Sequence, residues 1–254
     1  MGDCLEVMKE INDKSVDMIL CDLPYGTTAC KWDSVIPFEP LWEHYKRIIK
    51  DKGAIVLTAS QPFASALVMS NIEWFKYEWV WVKNRATGHA HAKNKPMKKH
   101  ENICIFSNGV TLHPGQSERR MGYYPQGLKK EKNGKTRKRN DAGDDAVMSK
   151  RNSHKETVIE HSNYPVSLLN FDIEMNSQRV HPTQKPVALF EYLIKTYTDE
   201  GETVLDNCIG SGTTAIAALN TNRNFIGIEK DEEYYKLAKN RVLQHSNTNV
   251  STDE

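Results

Sequence analysis

Two short turns, each directly after a buried-strand pattern, constrain this chain more than any other feature. Val16-Asp17-Met18-Ile19-Leu20-Cys21 is an apolar run that reads as a strand over 16–21, and Asp22-Leu23-Pro24-Tyr25 follows it. Thr203-Val204-Leu205 opens a second strand over 203–206. It leads into Asp206-Asn207-Cys208-Ile209-Gly210-Ser211-Gly212-Thr213-Thr214. Both turns fall where a parallel α/β sheet binds ligands, past the carboxyl ends of its strands. The first offers an acceptor, a carbonyl and an aromatic face. The second offers a glycine turn opening a helix. Together they suit a flat base bearing an amino group, held beside a nucleotide-like cofactor.

At 254 residues the chain can bury a sizeable core, as one α/β domain with a large insertion or as two small domains. A net charge of +1 says nothing about nucleic acid by itself, but the positive charge is clustered. The five cysteines, Cys4, Cys21, Cys30, Cys104 and Cys208, are odd in number and include no C-x-x-C pair. Cys21, Cys104 and Cys208 lie in or beside apolar runs, which favours reduced, buried thiols in a cytosolic protein over a disulfide or zinc framework. No apolar run is long enough to span a bilayer, and the N-terminus lacks a signal-peptide core.

Along the chain, a helical pattern through Leu41, Tyr45, Ile48 and Ile49 ends near Gly53, and Ala54 to Thr58 reads as a strand. Pro62 suits the first turn of a helix reaching about Ser70. Phe75 to Val82 and Asn102 to Phe106 read as strands joined by a long polar loop. Periodicity fails from about Ser107 to Met175, where the basic run Lys129 to Arg139 resembles a mobile arm or an insertion without a large core. Order returns at Val180. Pro186 starts a helix, and strand 203–206, a helix from Thr213, strand Asn224–Glu229 and a helix from about Asp231 form a βαβα unit. The tail after His245 is polar and expected to fray.

The glycine turn is not G-x-G-x-x-G, and alone it is weak. Its context strengthens it: strand, acid, glycine turn, helix, then a strand ending in Glu229. An acid at that second strand tip can accept both ribose hydroxyls of an adenosine ligand. Asp206 would repel a pyrophosphate but suits a cationic group such as the ammonium of a methionine moiety. That points to S-adenosylmethionine over NAD. The plainer alternative is a strand–turn–helix with a stray acid. In His181-Pro182-Thr183-Gln184-Lys185-Pro186, Thr183 and Gln184 can hydrogen-bond a carboxylate, and Lys185 with the helix N-terminus favours an anion. A simple N-cap explains Thr183 and Pro186 but not Gln184 and Lys185.

A ring-conjugated amino group is a poor nucleophile because its lone pair is delocalised. Two acceptors on its hydrogens localise that pair for attack on a sulfonium methyl. Asp22 can be the side-chain acceptor and the Leu23 carbonyl the second, aimed by Pro24, which holds Leu23 extended. Tyr25 can stack on an extruded base. Taken alone, the tetrapeptide fits equally well a strand ending in a proline turn with a buried tyrosine.

These blocks, in this order, resemble the DNA amino-methyltransferase family, in the permuted beta-group arrangement that puts the D-P-P-Y motif before the cofactor motif. The resemblance covers most of the chain: Gly2 to Met8, Asp22 to Thr28 with Trp32-Asp33, His100-Glu101, His181 to Pro186, and Asp206 to Thr214. It implies a Rossmann-like, class I S-adenosylmethionine-dependent methyltransferase fold, α/β with a mostly parallel twisted sheet and helices on both faces. It further implies methylation of N6 of adenine or N4 of cytosine in DNA. Asp22, Leu23, Pro24 and Tyr25 would serve the base. Asp206, Gly210, Gly212, Thr213, Thr214 and Glu229 would serve the cofactor, with Thr183, Gln184 and Lys185, and Asp3 would lie near its adenine ring. Asp in the first motif position resembles the adenine enzymes, since cytosine enzymes often carry Ser there. Leu23 departs from the usual first proline; the carbonyl survives with less backbone restraint. The chain begins almost at the Gly-Asp-Cys block, so the strand that would precede Asp3 is short or missing.

The implied layout is a catalytic half over 1–106, a target-recognition insertion over 107–175, a cofactor half over 176–245 and a polar tail over 246–254. In the insertion, Lys135, Arg137, Lys138 and Arg139 suit phosphate neutralisation, which gives affinity without sequence choice; a solvated linker is the plainer alternative. Tyr123-Tyr124-Pro125-Gln126 suits stacking on DNA or local packing equally. His89, His91 and His100 lie on a basic stretch without ligand spacing, so no metal is expected. The expected partner is DNA, in a bacterial or phage-infected cytoplasm, with restriction–modification the implied setting. A homodimer and a separate nuclease stay open. An RNA methyltransferase, a catalytically silent DNA-binding or cofactor-sensing module and a nicotinamide oxidoreductase are the competing readings. The intact Asp22, Tyr25 and Glu229 oppose the silent module, and Asp206 with the missing third glycine opposes the oxidoreductase.

Overall fold

The computed structural model describes residues 1–28, 30, 33–111, 118–137, 157–173 and 184–250. They fall into two units, Met1–Tyr124 with Ser167–Glu254, and Pro125–Val166. In chain order the first unit begins with α1 (Cys4–Val7), β1 (Val16–Cys21), α2 (Phe38–Ile48), β2 (Ile49–Ala59), α3 (Phe63–Ser70), β3 (Phe75–Thr87) and β4 (Lys98–Phe106). The second unit contributes β5 (Lys129–Arg137) and β6 (Thr157–Ser162). The first unit resumes with β7 (Leu168–Asn170), α4 (Val187–Tyr197), β8 (Thr203–Asp206), α5 (Thr213–Asn220), β9 (Asn224–Gly227) and α6 (Glu232–Val250).

The main sheet runs β7-β3-β4-β2-β1-β8-β9. Only β4 is antiparallel to its neighbours, β2 and β3; every other pairing is parallel. β1 is buried along its whole length, as a strand covered on both faces must be. The two-residue side-chain period divides its residues between two cores. Ile19 and Cys21 join Ile55, Leu57, Cys104, Phe106 and Leu205 against α2 and α3. Met18 and Leu20 join Val56, Ile103, Ile105 and Val204 against α4 and α5. Helices therefore cover both faces of a mostly parallel sheet. α2 presents Leu41, Trp42, Tyr45 and Ile48 to the first core; it ends at Ile48 and not near Gly53, because Ile49 already opens β2. All five cysteines are free; Cys4, Cys21 and Cys104 are buried, Cys208 is half-buried and Cys30 is exposed.

Several expectations need correcting. The polar stretch after Val82 is largely a hairpin: β3 continues to Thr87 and β4 starts at Lys98, with a 3-10 turn at His89–His91 between them. Its residues are mostly exposed, so no burial period marks it in the sequence. The basic run is a strand through Arg137, paired antiparallel with β6 from Lys129↔Ser162 to Arg137↔Thr157. The register of this pairing shifts between Lys130 and Lys135. Helix α6 runs on to Val250, past the expected fraying point after His245. Val180 lies outside the described residues.

Candidate active site

The strand order reverses between β1 and β8. β1 continues to β2 on one side, and β8 continues to β9 on the other. The two strands are neighbours, with Met18 opposite Val204 and Ile19 opposite Leu205. Their carboxyl ends release Asp22 and Asp206 into the crevice at this switch point, where open α/β sheets bind ligands. One cavity of about 1070 Å³ holds both acids and is also lined by Tyr25, Lys185, Gly210 and Glu229.

The loop after β1 is held by Asp33. Its carboxylate accepts the N–H groups of Gly26 (2.8 Å), Thr27 (2.9 Å) and Thr28 (2.6 Å). Burial raises the Asp33 pKa, but the Thr28 hydroxyl and these three N–H groups outweigh it and keep the carboxyl below its usual range. The Asp22-Leu23-Pro24-Tyr25 turn is thus tied down on its far side. Leu23 is buried at the cavity wall.

Asp22 is crowded with donors. Its Oδ1 accepts the hydroxyls of Tyr25 (2.7 Å) and Thr58, whose two oxygens lie 2.9 Å apart. Its Oδ2 accepts the Lys185 ammonium at 2.5 Å. Burial, Asp22 and Glu101 all push the Tyr25 phenol well above its ordinary pKa, so it stays neutral and donates. Phe63 stacks on the Tyr25 ring, with centroids 5.2 Å apart and planes at 27°.

Lys185 is 7% exposed. Besides Asp22, its Nζ is 3.4 Å from Glu101 Oε2, and Glu101 Oε1 takes the ammonium of buried Lys83. Burial disfavours the Lys185 cation, yet Asp22 and Glu101 outweigh it and raise its pKa. Burial likewise raises Glu101, while Lys185 and Lys83 together hold it below the carboxylate range. The result is a buried chain of alternating charge: Asp22, Lys185, Glu101, Lys83. The sequence reading puts Lys185 on a cofactor anion; the structure turns its ammonium onto Asp22 instead. The spacing could not show this, because 163 residues separate the partners.

On the cofactor side, Asp206 is 3% exposed. Its Oδ1 accepts the Cys208 N–H at 3.0 Å and its Oδ2 the Thr214 hydroxyl at 2.5 Å. Burial pushes its pKa up to about 6 against these bonds. Gly210 and Gly212 both take positive φ, +49° and +80°, the left-handed region that favours glycine. A Cβ on Gly212 would also lie 3.2 Å from that of Ala238, so the turn lets α6 approach. Thr213 lines the cavity, its hydroxyl 3.4 Å from Arg241 Nη1. Glu229 Oε2 accepts the Gly210 N–H at 2.8 Å, and Oε1 accepts those of Lys230 (2.9 Å) and Asp231 (3.0 Å). A carboxylate has about four acceptor sites, so one remains on Glu229 for a ligand hydroxyl. Asp3 caps α1 through the Leu5 N–H and meets Lys230 Nζ at 3.0 Å; that ammonium lowers its pKa most. Gln184 is buried at the cavity wall.

Thr183, Lys138 and Arg139 lie outside the described residues, while Lys135 and Arg137 sit on β5. The structure thus gathers Asp22, Leu23, Pro24, Tyr25, Asp3, Gln184, Lys185, Asp206, Gly210, Thr213, Thr214 and Glu229 around one cavity. Thr58, Glu101 and Lys83 had no assigned role in the sequence reading. Thr58 is the penultimate residue of β2, beside β1, and Glu101 belongs to the His100-Glu101 block; both were visible signals.

An α/β sheet whose switch-point cavity holds two acids and a glycine turn has the architecture of a class I methyltransferase. Comparison with known proteins narrows the class. A family described as DNA methylase, covering N6 and N4 enzymes, matches residues 16–240. The Type II methyltransferase M.HpaI of Haemophilus parainfluenzae is 26% identical over all of this chain and 76% of its own length. The Type II methyltransferase M1.MboII of Moraxella bovis is 28% identical over 97% of this chain and 96% of its own. The solved M1.HpyAVI–SAM complex shares the fold with a TM-score of 0.62 at 24% identity, over 95% of this chain and 96% of that one. The cytosine-N4-specific PvuII DNA methyltransferase does so with a TM-score of 0.65 at 15% identity, over 94% and 83%. The chain belongs to the N6/N4 DNA methylase family. It is accordingly a DNA methyltransferase whose methyl donor is S-adenosylmethionine. The donor set fits that cofactor: a buried carboxylate suited to an ammonium, a glycine turn open to close approach, and an acid past the tip of β9. Among the described residues, no helix is long and apolar enough to cross a membrane.

Proposed function

We propose that this chain methylates N6 of adenine within a specific DNA sequence, in the cytoplasm, opposite a separate restriction nuclease of matching specificity. One observation carries the reading: the Asp22 carboxylate stands at the end of β1, in the same cavity as Asp206 at the end of the adjacent β8.

S-adenosylmethionine, when bound, supplies a sulfonium methyl as the electrophile. The residues of the chain prepare the nucleophile. Asp22 accepts one amine hydrogen and the Leu23 carbonyl the other, which localises the nitrogen lone pair. Thr58 and Tyr25 hold Asp22 Oδ1, so the second carboxylate oxygen faces the amine. The Tyr25 face not covered by Phe63 stacks the extruded base and offsets part of the unstacking cost. Asp206 takes the cofactor's ammonium. Glu229 holds its ribose, and the one open acceptor site implies that a full two-hydroxyl grip displaces a backbone N–H. Gln184 and Thr183 take its carboxylate, since Lys185 is engaged by Asp22. Asp3 lies by the adenine ring. Lys135, Arg137, Lys138 and Arg139 neutralise DNA phosphates.

Adenine rests on the acid at the first motif position and on the larger ring available to Tyr25. Incubation with mixed-sequence DNA and labelled cofactor, then nucleoside mass spectrometry, tests it. N6-methyladenine is expected. N4-methylcytosine as the main product overturns the base and leaves the amine chemistry. Product on RNA alone overturns the substrate.

A further inference from the structure

The Lys185–Asp22 pair has a donor and an acceptor side by side, in the cavity, next to the aromatic ring on which a base would stack. Nζ lies 2.5 Å from Asp22 Oδ2 and 5.7 Å from the Tyr25 ring centroid. Lys185 and Tyr25 both line the cavity. An ammonium has three N–H donors. Here one serves Asp22, and the second points to Glu101 Oε2, which is buried and makes no hydrogen bond, at a distance of 3.4 Å. Among the described residues, no further protein acceptor takes the third.

We propose that Lys185 is a specificity-determining residue: it donates to the ring nitrogen adjacent to the target amine, so that Asp22 and Lys185 together read the amidine edge of the base. This rests on the amine-methylation reading above and refines it.

The dimensions close. Two conjugated C–N bonds of about 1.33 Å at about 120° separate an amine from the neighbouring ring nitrogen by about 2.3 Å. With the amine about 2.9 Å from Asp22 Oδ2 and the ring nitrogen about 2.9 Å from Nζ, the 2.5 Å between Oδ2 and Nζ completes a near-rectangular cyclic pair. Adenine presents this edge through N6 and N1, and cytosine through N4 and N3. Guanine and thymine present the reverse, a carbonyl oxygen beside a ring N–H. Against them Asp22 would face a carbonyl and Lys185 an N–H, so rejection comes from two unpaired, repelling contacts. The inference also explains why a lysine, and not a neutral donor, stands beside the acceptor of the amine.

The test uses a duplex carrying the mapped target base, or its analogue with CH in place of that ring nitrogen. The analogue is 1-deazaadenine for an N6 product and 3-deazacytosine for an N4 product. Both are placed opposite an abasic site, so that extrusion costs match. Single-turnover methylation is measured for the full chain and for K185M and K185R, with cofactor calorimetry on each variant as the check on folding. The wild type should lose about tenfold or more on the analogue. K185M should lose about as much on the natural base and less than about twofold further on the analogue. K185R, which keeps a donor, should recover sensitivity to the analogue. A wild type indifferent to the analogue overturns the proposal without needing any variant. So does a K185M that keeps the full analogue penalty. If the wild type methylates no nucleoside in DNA, the functional reading fails first and this inference with it.

Discussion

Asp206→Asn should make the cofactor-free protein more stable at pH 8 while weakening its grip on S-adenosylmethionine. The Asp206 carboxyl is 3% exposed and its pKa rises from 3.8 to about 6. A shift of about two units corresponds to about 3 kcal/mol, at 1.36 kcal/mol per unit. The folded state holds this proton more tightly than the unfolded chain does. The associated stability is therefore full below pH 3.8, falls as pH rises through the window from 3.8 to 6, and is gone above it. Asparagine removes the charge and can keep both neighbours: its Oδ1 can accept the Cys208 N–H, and its Nδ2 can donate to the Thr214 oxygen. The gain at pH 8 should be about 1–3 kcal/mol by urea denaturation, shrinking toward pH 4. Binding should move the other way. Losing a charge-assisted contact costs on the order of 1.5–3 kcal/mol, roughly tenfold to a hundredfold in affinity by calorimetry. Wild-type affinity should itself weaken below about pH 6, as Asp206 protonates. An asparagine variant less stable than wild type at pH 8, or a difference independent of pH, would refute the burial argument.

Three further outcomes are expected. Glu229→Ala should weaken cofactor binding by on the order of 1.5–3 kcal/mol; unchanged calorimetry would remove Glu229 from the ribose site. Neutralising Lys135, Arg137, Lys138 and Arg139 together should flatten the salt dependence of DNA affinity by about 0.9 in log–log slope per lost phosphate contact, with little change in sequence preference. An unchanged slope would make the basic strand a bystander. Asp33→Ala should lower the methyl-transfer rate far more than cofactor affinity, because three loop N–H groups lose their acceptor; equal losses in both would show a wider collapse.

The central sheet was legible because burial on both faces leaves runs such as Val16–Cys21 and Thr203–Asp206, each ending in a polar turn. Strand β1, the start of α5 at Thr213 and strand β8 coincide with the pattern. The exposed hairpin ends at Thr87 and Lys98, and the strand Lys129–Arg137, carry no such pattern. They pair through backbone bonds, and their sequences are too polar to show an apolar period. At the site, Asp22 and Asp206 were marked by local context. The Asp22–Lys185–Glu101 relation was not, because it joins β1, the segment before α4, and β4, which meet only in the folded sheet.

The division of labour within the cavity is the central claim, and Asp22→Ala tests it on one sample. Calorimetry should find S-adenosylmethionine affinity nearly unchanged, while the methyl-transfer assay on DNA should find turnover abolished. Turnover within about tenfold of wild type, roughly 1.4 kcal/mol of barrier, would contradict the role of Asp22 as the acceptor that prepares the target amine.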